Sequence, residues 1–406
     1  MRILYICHRF PYPPKRGGKI RPFNMIRHLA QRHQVVVCSL ARSAAEAEEA
    51  QAIAPHCAEF HIGRVDNRIQ CLRMAATLPT PFTASSSFFH STRLARTIRR
   101  LLDEQRFDLI FVHCSSVAHY VEHVRDVPKI LDFGDMDSQK WLEYARVKPF
   151  PLNLGYWWEG RRVLAEEKRL ARRFEFCTAT TLGEWETLKS YGIDVQSDWF
   201  PNGVDAGYFE PGADAYDPDA ICFIGRMDYY PNQQGMFSFC ADVLPLLRDR
   251  RPGIKLTIVG ADPSAAVRRL GELPGVTVTG SVADVRPYVV KSALTIAPLA
   301  IARGTQNKIL EAMAMGVPVV ASRVAAGGVD AVAGEHLLAA TTPAEYRDAI
   351  LRVLDDRAER ARLAQAGRAR VLSHHAWSSS MQRLDAIIER CLAARIPERK
   401  LQPQAT

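Results

Sequence analysis

Short apolar runs rich in β-branched and aromatic residues alternate along this chain with longer stretches whose apolar positions recur every three or four residues. RILYICH comes first, followed by a helical stretch from Phe23 to Gln31, VVVCSL, an Ala/Glu-rich helix from Ser43 to Ile53, and EFHIG. The rhythm continues with a helix from Thr92 to Glu104, DLIFVHC, KILDFGD, a long helix from Tyr156 to Phe174, and FCTATT. Strands alternating with helices in this way predict βαβ units and a parallel sheet.

A Pro-, Gly- and Asp-rich interval, FPNGVDAGYFEPGADAYDPDA, breaks the pattern near residues 200 to 218 and has the composition of a linker. Beyond it AICFIG, KLTIVG, VTVTG, LTIAPL and VPVVAS, each followed by a helix or turn, repeat the rhythm. The expected fold is α/β, with two Rossmann-like parallel-sheet domains over residues 1–200 and 201–376. In residues 377–406 an amphipathic helix from Trp377 to Leu392 is expected to cross back to the first domain, ahead of a polar tail. Open parallel sheets bind ligands at the carboxyl ends of their strands, so the expected site lies in a central cleft faced by both domains.

The length of 406 residues agrees with two folding units at roughly 100 to 200 residues each. Apolar residues at 47% and charged residues at 24% exclude disordered, collagen-like and coiled-coil classes. No apolar run reaches about 18 residues, and Met1 to His8 leads straight into a strand, so a cytoplasmic location is expected. The nine cysteines form no CxxC pair; Cys7, Cys38, Cys114, Cys177 and Cys222 sit in strand-like runs and read as reduced core thiols. A formal charge of +9 implies an anionic partner. Nucleic acid is disfavoured, because no recognition helix, RNP-type strand or zinc finger is present. The cations concentrate at Arg93, Arg96, Arg99 and Arg100, and at Arg161, Arg162, Lys168, Arg169, Arg172 and Arg173. These read either as solvated helix faces or as a peripheral contact with anionic lipid on the inner face of the cytoplasmic membrane.

Four places carry candidate chemistry. Gly17 and Gly18 stand before a helix, where backbone amides approach a phosphate closely, although a tight turn needs the same residues. Gly225 and Arg226 end a strand, placing a guanidinium where it can fork onto phosphate oxygens. Lys308 and Glu311 lie on neighbouring positions of one helix face, as a diphosphate cation and a ribose acceptor or as an ordinary ion pair. His113 ends a strand, and Asp132, Asp135 and Asp137 follow the next one, where a carboxylate such as Asp135 can orient an acceptor hydroxyl; Asp137 and Ser138 serve equally as a helix cap. His119, Glu122 and His123 spell HxxEH, but without a third ligand no metal site is assigned.

The GG loop, the GR turn, the PNGVD segment and the run NKILEAMAMGVPVVAS together resemble the retaining glycosyltransferases of family 4, which have the GT-B architecture. DFGDMDSQKW, the PN after GRMDYY and ARGTQNK are most similar to the sugar transferases of exosortase and PEP-CTERM polysaccharide systems. The resemblance implies transfer of a sugar from a nucleoside-diphosphate donor, with no obligatory cofactor, onto a glycan or lipid-linked glycan acceptor in exopolysaccharide or related cell-surface synthesis. It implies Arg226, Lys308, His113 and Asp135 as catalytic groups. It also implies donor contacts at Gly17, Gly18, Gly225, Arg303, Gly304, Thr305, Asn307, Leu310 and Glu311. Two departures stand out. Arg303 occupies the position, eight before Glu311, where such enzymes carry a sugar-contacting Glu, and the Lys expected after the GR turn is replaced within Asp228 to Asn232. A nucleotide-sugar epimerase and a degenerate, non-catalytic scaffold are the competing readings. Acceptor specificity is expected in loops such as residues 78–91.

Overall fold

In the computed structural model, residues 1–14, 17–77, 80, 82–212 and 215–400 are described. Contacts divide the chain into two units, Met1–Phe200 with Met381–Thr406, and Pro201–Ser380. The first holds strands β1 (Arg2–Cys7), β2 (Gln34–Ala41), β3 (Glu59–Arg64), β4 (Leu109–His113), β5 (Lys129–Gly134), β6 (Phe176–Ala179) and β7 (Gln196–Trp199), in the order β3-β2-β1-β4-β5-β6-β7. The second holds β8 (Asp217–Ile224), β9 (Lys255–Val259), β10 (Val276–Gly280), β11 (Ser292–Ala297), β12 (Val319–Ser322) and β13 (Leu338–Ala340), in the order β10-β9-β8-β11-β12-β13. Every pairing between these strands is parallel.

Both sheets thus share one doubly wound pattern, with strand order reversing between β1 and β4 and between β8 and β11. The physical basis is in the strands. β1, β4 and β5 are buried along almost their whole length, as only sheets covered on both faces allow. The cysteines at 7, 38, 114, 177 and 222 are buried free thiols, whereas Cys71 is exposed.

Two edge strands, β7 and β13, escape the apolar pattern: β7 reads QSDW and β13 has three residues, so neither shows the run that marks a central strand. The helices that matter below are α1 (Gly17–Leu29), α2 (Asp137–Val147), α3 (Leu152–Ala171), α4 (Tyr230–Ser238), α5 (Asn307–Ala314) and α6 (Trp377–Lys400). The helix expected over Ser43 to Ile53 stops at Glu49 and tightens into a 3-10 turn over Ala50–His56.

α6 extends past the expected Leu392, and its residues from Met381 belong to the first unit, where Asp385 meets His28 at 2.9 Å and Arg390 meets Asp198 at 2.5 Å. Residues 377–380 belong to the second unit. The interval after Phe200 is less of a free linker than its composition implied. Val204 donates to the His375 carbonyl at 2.8 Å, and a Cβ on Gly203 would lie 2.6 Å from the Trp377 ring. His375 is itself buried rather than part of a polar turn.

Candidate active site

Within the first unit the chemistry gathers at the carboxyl ends of β1, β4 and β5. Asp132, fully buried on β5, accepts from the Arg21 guanidinium at 2.9 and 3.1 Å, from Thr178 Oγ1 at 2.9 Å and from His113 Nδ1 at 2.8 Å. Burial alone would raise this carboxyl, but the Arg21 charge and the His113 bond outweigh it and hold it well below the usual carboxylate range. An ionised carboxylate only accepts, so Nδ1 of His113 carries a proton and Nε2 is the nitrogen left for a ligand. Arg21 also donates to the Phe200 carbonyl at 2.9 Å and lies over the Phe200 ring.

Asp132 is therefore a positioning group spent on Arg21 and His113, not an acceptor-facing carboxylate. Asp135 lies beyond the end of β5, half-buried, accepting from Thr180 Oγ1 at 2.7 Å, and desolvation raises its carboxyl. Asp137 pairs with Lys140 at 2.6 Å, and Ser138 donates to Glu167 at 2.5 Å. Neither side chain caps α2, whose N-cap is Met136. Gly17 and Gly18 are the first two residues of α1 itself. Among the described residues, a Cβ on Gly18 would make only an ordinary contact with Arg9 at 3.6 Å.

His8, His113 and Cys114 place one ligand-type atom each within 4.8 Å of one another, the grouping among the described residues with metal-holding spacing. The HxxEH residues are otherwise engaged: His119 faces His90 at 3.3 Å, and Glu122 pairs with Arg169.

Within the second unit, β8 ends at Ile224 and the chain turns through Gly225 and Arg226 into α4. Asn232 on α4 donates to the Arg226 carbonyl at 2.7 Å and accepts from Lys308 Nζ at 2.6 Å. Lys308, on the first turn of α5, lies 4.6 Å from the Phe223 ring centre. Gly225 is required here, because a Cβ would sit 2.9 Å from Asn232 Nδ2 and 3.1 Å from the ammonium. Burial lowers Lys308 to about 7 and raises Glu311 to about 7. The ammonium bonds Asn232, while its charge and that of Glu311 still act on each other, each partly offsetting the other's burial.

The Arg226 guanidinium is held by Asp228 at 2.7 Å and by Asp262 at 2.5 Å. These carboxylates take Nε and one terminal nitrogen of the guanidinium, a constraint the sequence expectation did not include. Before α5, Gly304 adopts φ 65°, and Gln306 donates to the Arg303 carbonyl at 3.1 Å. Among the described residues Thr305 Oγ1 is buried without a hydrogen-bond partner and no side chain caps α5. Asn307 opens α5, with Oδ1 3.5 Å from Asn202 Nδ2. Leu310 is fully buried in the core of this unit, where its side chain supports the helix.

Residues 16–208 match the family model Glycosyltransferase Family 4, and residues 218–356 match Glycosyl transferases group 1. With these two domains on parallel sheets of matching strand order, the chain is a glycosyltransferase of GT-B fold. Among solved structures, sucrose-phosphate synthase from Thermosynechococcus elongatus superposes with a TM-score of 0.72 at 18% identity, covering 97% of this chain and 100% of that one. Anabaena Alr3699/HepE in complex with UDP gives 0.68 at 15%, covering 96% and 100%. A glycosyltransferase from Rickettsia africae gives 0.63 at 11%, covering 96% and 98%. At these identities the likeness is one of fold. No curated protein matches the sequence.

Proposed function

We propose that the chain transfers a sugar from a nucleoside-diphosphate donor to a hydroxyl of a glycan or lipid-linked glycan, with retention of anomeric configuration, in exopolysaccharide or related cell-surface synthesis. The observation that carries this is the Lys308 ammonium, held by Asn232 beside Gly225 at a strand end, where the missing Cβ leaves room for both side chains. A cation in such a recess neutralises the departing diphosphate, and the uncapped start of α5 adds amide dipoles of the same sign. Thr305 Oγ1, which has no hydrogen-bond partner among the described residues, supports this reading as a donor left for a phosphate oxygen. Glu311, one turn along from Lys308, accepts from ribose hydroxyls. His113, oriented by Asp132, presents Nε2 to the sugar, and Asp135 orients the acceptor. No cofactor is assigned to the reaction. The UDP complex of HepE is consistent with a uridine donor.

The experiment is calorimetric titration with UDP or GDP in buffers of different ionisation enthalpy. In the free protein at pH 8 Lys308 is mostly neutral, since its value is about 7, and a bound diphosphate protonates it. At pH 6 Glu311 is mostly protonated, and accepting ribose hydroxyls ionises it. Proton uptake is therefore expected above pH 7 and proton release below it. Lys308→Met should abolish the uptake and Glu311→Gln the release, which separates both from the ligand's own titration. Buffer-independent heats at both pH values would remove the donor-site reading. Retention is checked by comparing the anomeric proton coupling of product and donor.

Arg303, on the loop that Gly304 turns, supplies a second cation to the diphosphate in this reading, compensating for the lysine missing between Asp228 and Asn232. Arg303→Glu is expected to lower turnover about tenfold or more, a loss of roughly 1.4 kcal/mol. Steady-state constants equal to those of the unmodified enzyme would show that Arg303 takes no part.

A further inference from the structure

We propose that the corner between α2 and α3 inserts into the surface of an anionic lipid bilayer. Within residues 147–158, the side chains of Val147, Phe150, Leu152, Leu154, Trp157 and Trp158 are all exposed, Phe150 at 77% and Trp157 at 50%. Scattered apolar residues on a surface need no explanation, but six large ones within a single helix–turn–helix corner do.

Phe82 extends the patch. Arg162, one turn beyond Trp158 on α3, donates to the Phe82 carbonyl, and the Phe82 ring is 68% exposed. Between the two helices runs an open groove of about 550 Å³, bordered by Leu142, Arg146, Leu154 and Trp157.

The charge pattern selects the occupant. From Tyr144 to Trp158 the chain carries Arg146 and Lys148, with Glu143 and Glu159 just outside its two ends, so the charge within the apolar corner itself is cationic. Indole rings favour the boundary between headgroups and acyl chains, where an apolar body and a polar N–H are both satisfied. Cations beside them meet lipid phosphates. No helix among the described residues is long and apolar enough to cross a membrane, so the contact is one of partial insertion at a corner.

This surface is distinct from the Arg-rich helix faces on which the sequence placed a membrane contact. Arg93, Arg96, Arg99 and Arg100 are exposed, but Arg162 is buried against Glu159, and Arg169 pairs with Glu122 and Glu166. Those faces lack the apolar component that the corner has. The proposal does not rest on the transfer reading, because partition is measured with neither donor nor acceptor present.

The test is flotation of the full chain with phosphatidylglycerol–phosphatidylethanolamine vesicles and with phosphatidylcholine vesicles. Tryptophan emission is followed alongside, in bilayers whose acyl chains carry bromine. Binding to the anionic vesicles with bromine quenching is expected. Phe150→Ser/Leu154→Ser/Trp157→Ser should weaken partition roughly tenfold or more, with an unchanged melting temperature because all three side chains are exposed. Arg146→Gln/Lys148→Gln should remove the preference for anionic lipid and leave quenching in place at high protein. A triple variant that floats like the unmodified chain would overturn the proposal. So would binding that vanishes in salt and never shows quenching, which would return the contact to the Arg-rich helices. Self-association abolished by the triple variant, with no vesicle binding, would assign the corner to a second copy instead.

Discussion

Lys308→Ala is expected to lower kcat/KM by roughly 10²- to 10³-fold, the cost of removing one preorganised charge from a developing anion, about 2.7–4 kcal/mol. The loss should fall mainly on kcat, because charge on the departing diphosphate grows in the transition state. Stability should hold or rise: burial lowers this ammonium from 10.5 to about 7, so at neutral pH the native state carries a cost for its charge that the unfolded chain does not. Only the bond to Asn232 is lost. Lys308→Arg is expected to rescue poorly, since the ammonium lies against Asn232 and would be 3.1 Å from a Cβ on Gly225, leaving scant room for a planar guanidinium. Turnover within threefold of the unmodified enzyme in Lys308→Ala would exclude the residue from catalysis.

The largest expected effect on stability comes from Arg21→Met. It leaves the Asp132 carboxylate fully buried with its main counter-charge gone, which costs about 3–5 kcal/mol. Denaturant unfolding measures this, and Arg21→Met/Asp132→Leu should cost less than the sum of the two single changes, because no orphan charge is left. The pH dependence follows from the direction of the shift. Asp132 is lowered in the native state from 3.8, so the pair contributes fully above that value and is lost only as pH falls through the lower native one. The double variant should show a shallower fall in stability in acid. An unchanged acid limb would mean that other carboxylates govern it. Because Asp132 also orients His113, Asp132→Asn should reduce activity beyond what its stability loss explains.

The helices and central strands were legible because each central strand is a continuous apolar run and each helix has a periodic face. β7 and β13 were not, since edge strands are short, more polar, and shaped by their single neighbour. Arg21 carried a faint signal: it sits between Ile20 and Pro22–Phe23, on a turn of α1 that the apolar pattern marks as buried. Nothing local indicated that its partner lay 111 residues away. The stretch Asp228 to Asn232 shows in the sequence as lacking an expected lysine, but nothing local marks Asn232 as the residue that spans Lys308 and the Arg226 carbonyl.

By itself the sequence determined the two-sheet α/β organisation, the break near Phe200 and the residues that carry charge at strand ends, because periodicity and turn chemistry act over a few residues and can be read there. The tertiary structure alone decided which of those charges are available. It committed Arg226 to Asp228 and Asp262, tied Asp132 to Arg21 and His113, buried Leu310, and left Lys308 in a recess with Asn232. Pairing and desolvation depend on groups brought together from distant parts of the chain, and a carboxylate or ammonium takes its chemical character from those neighbours.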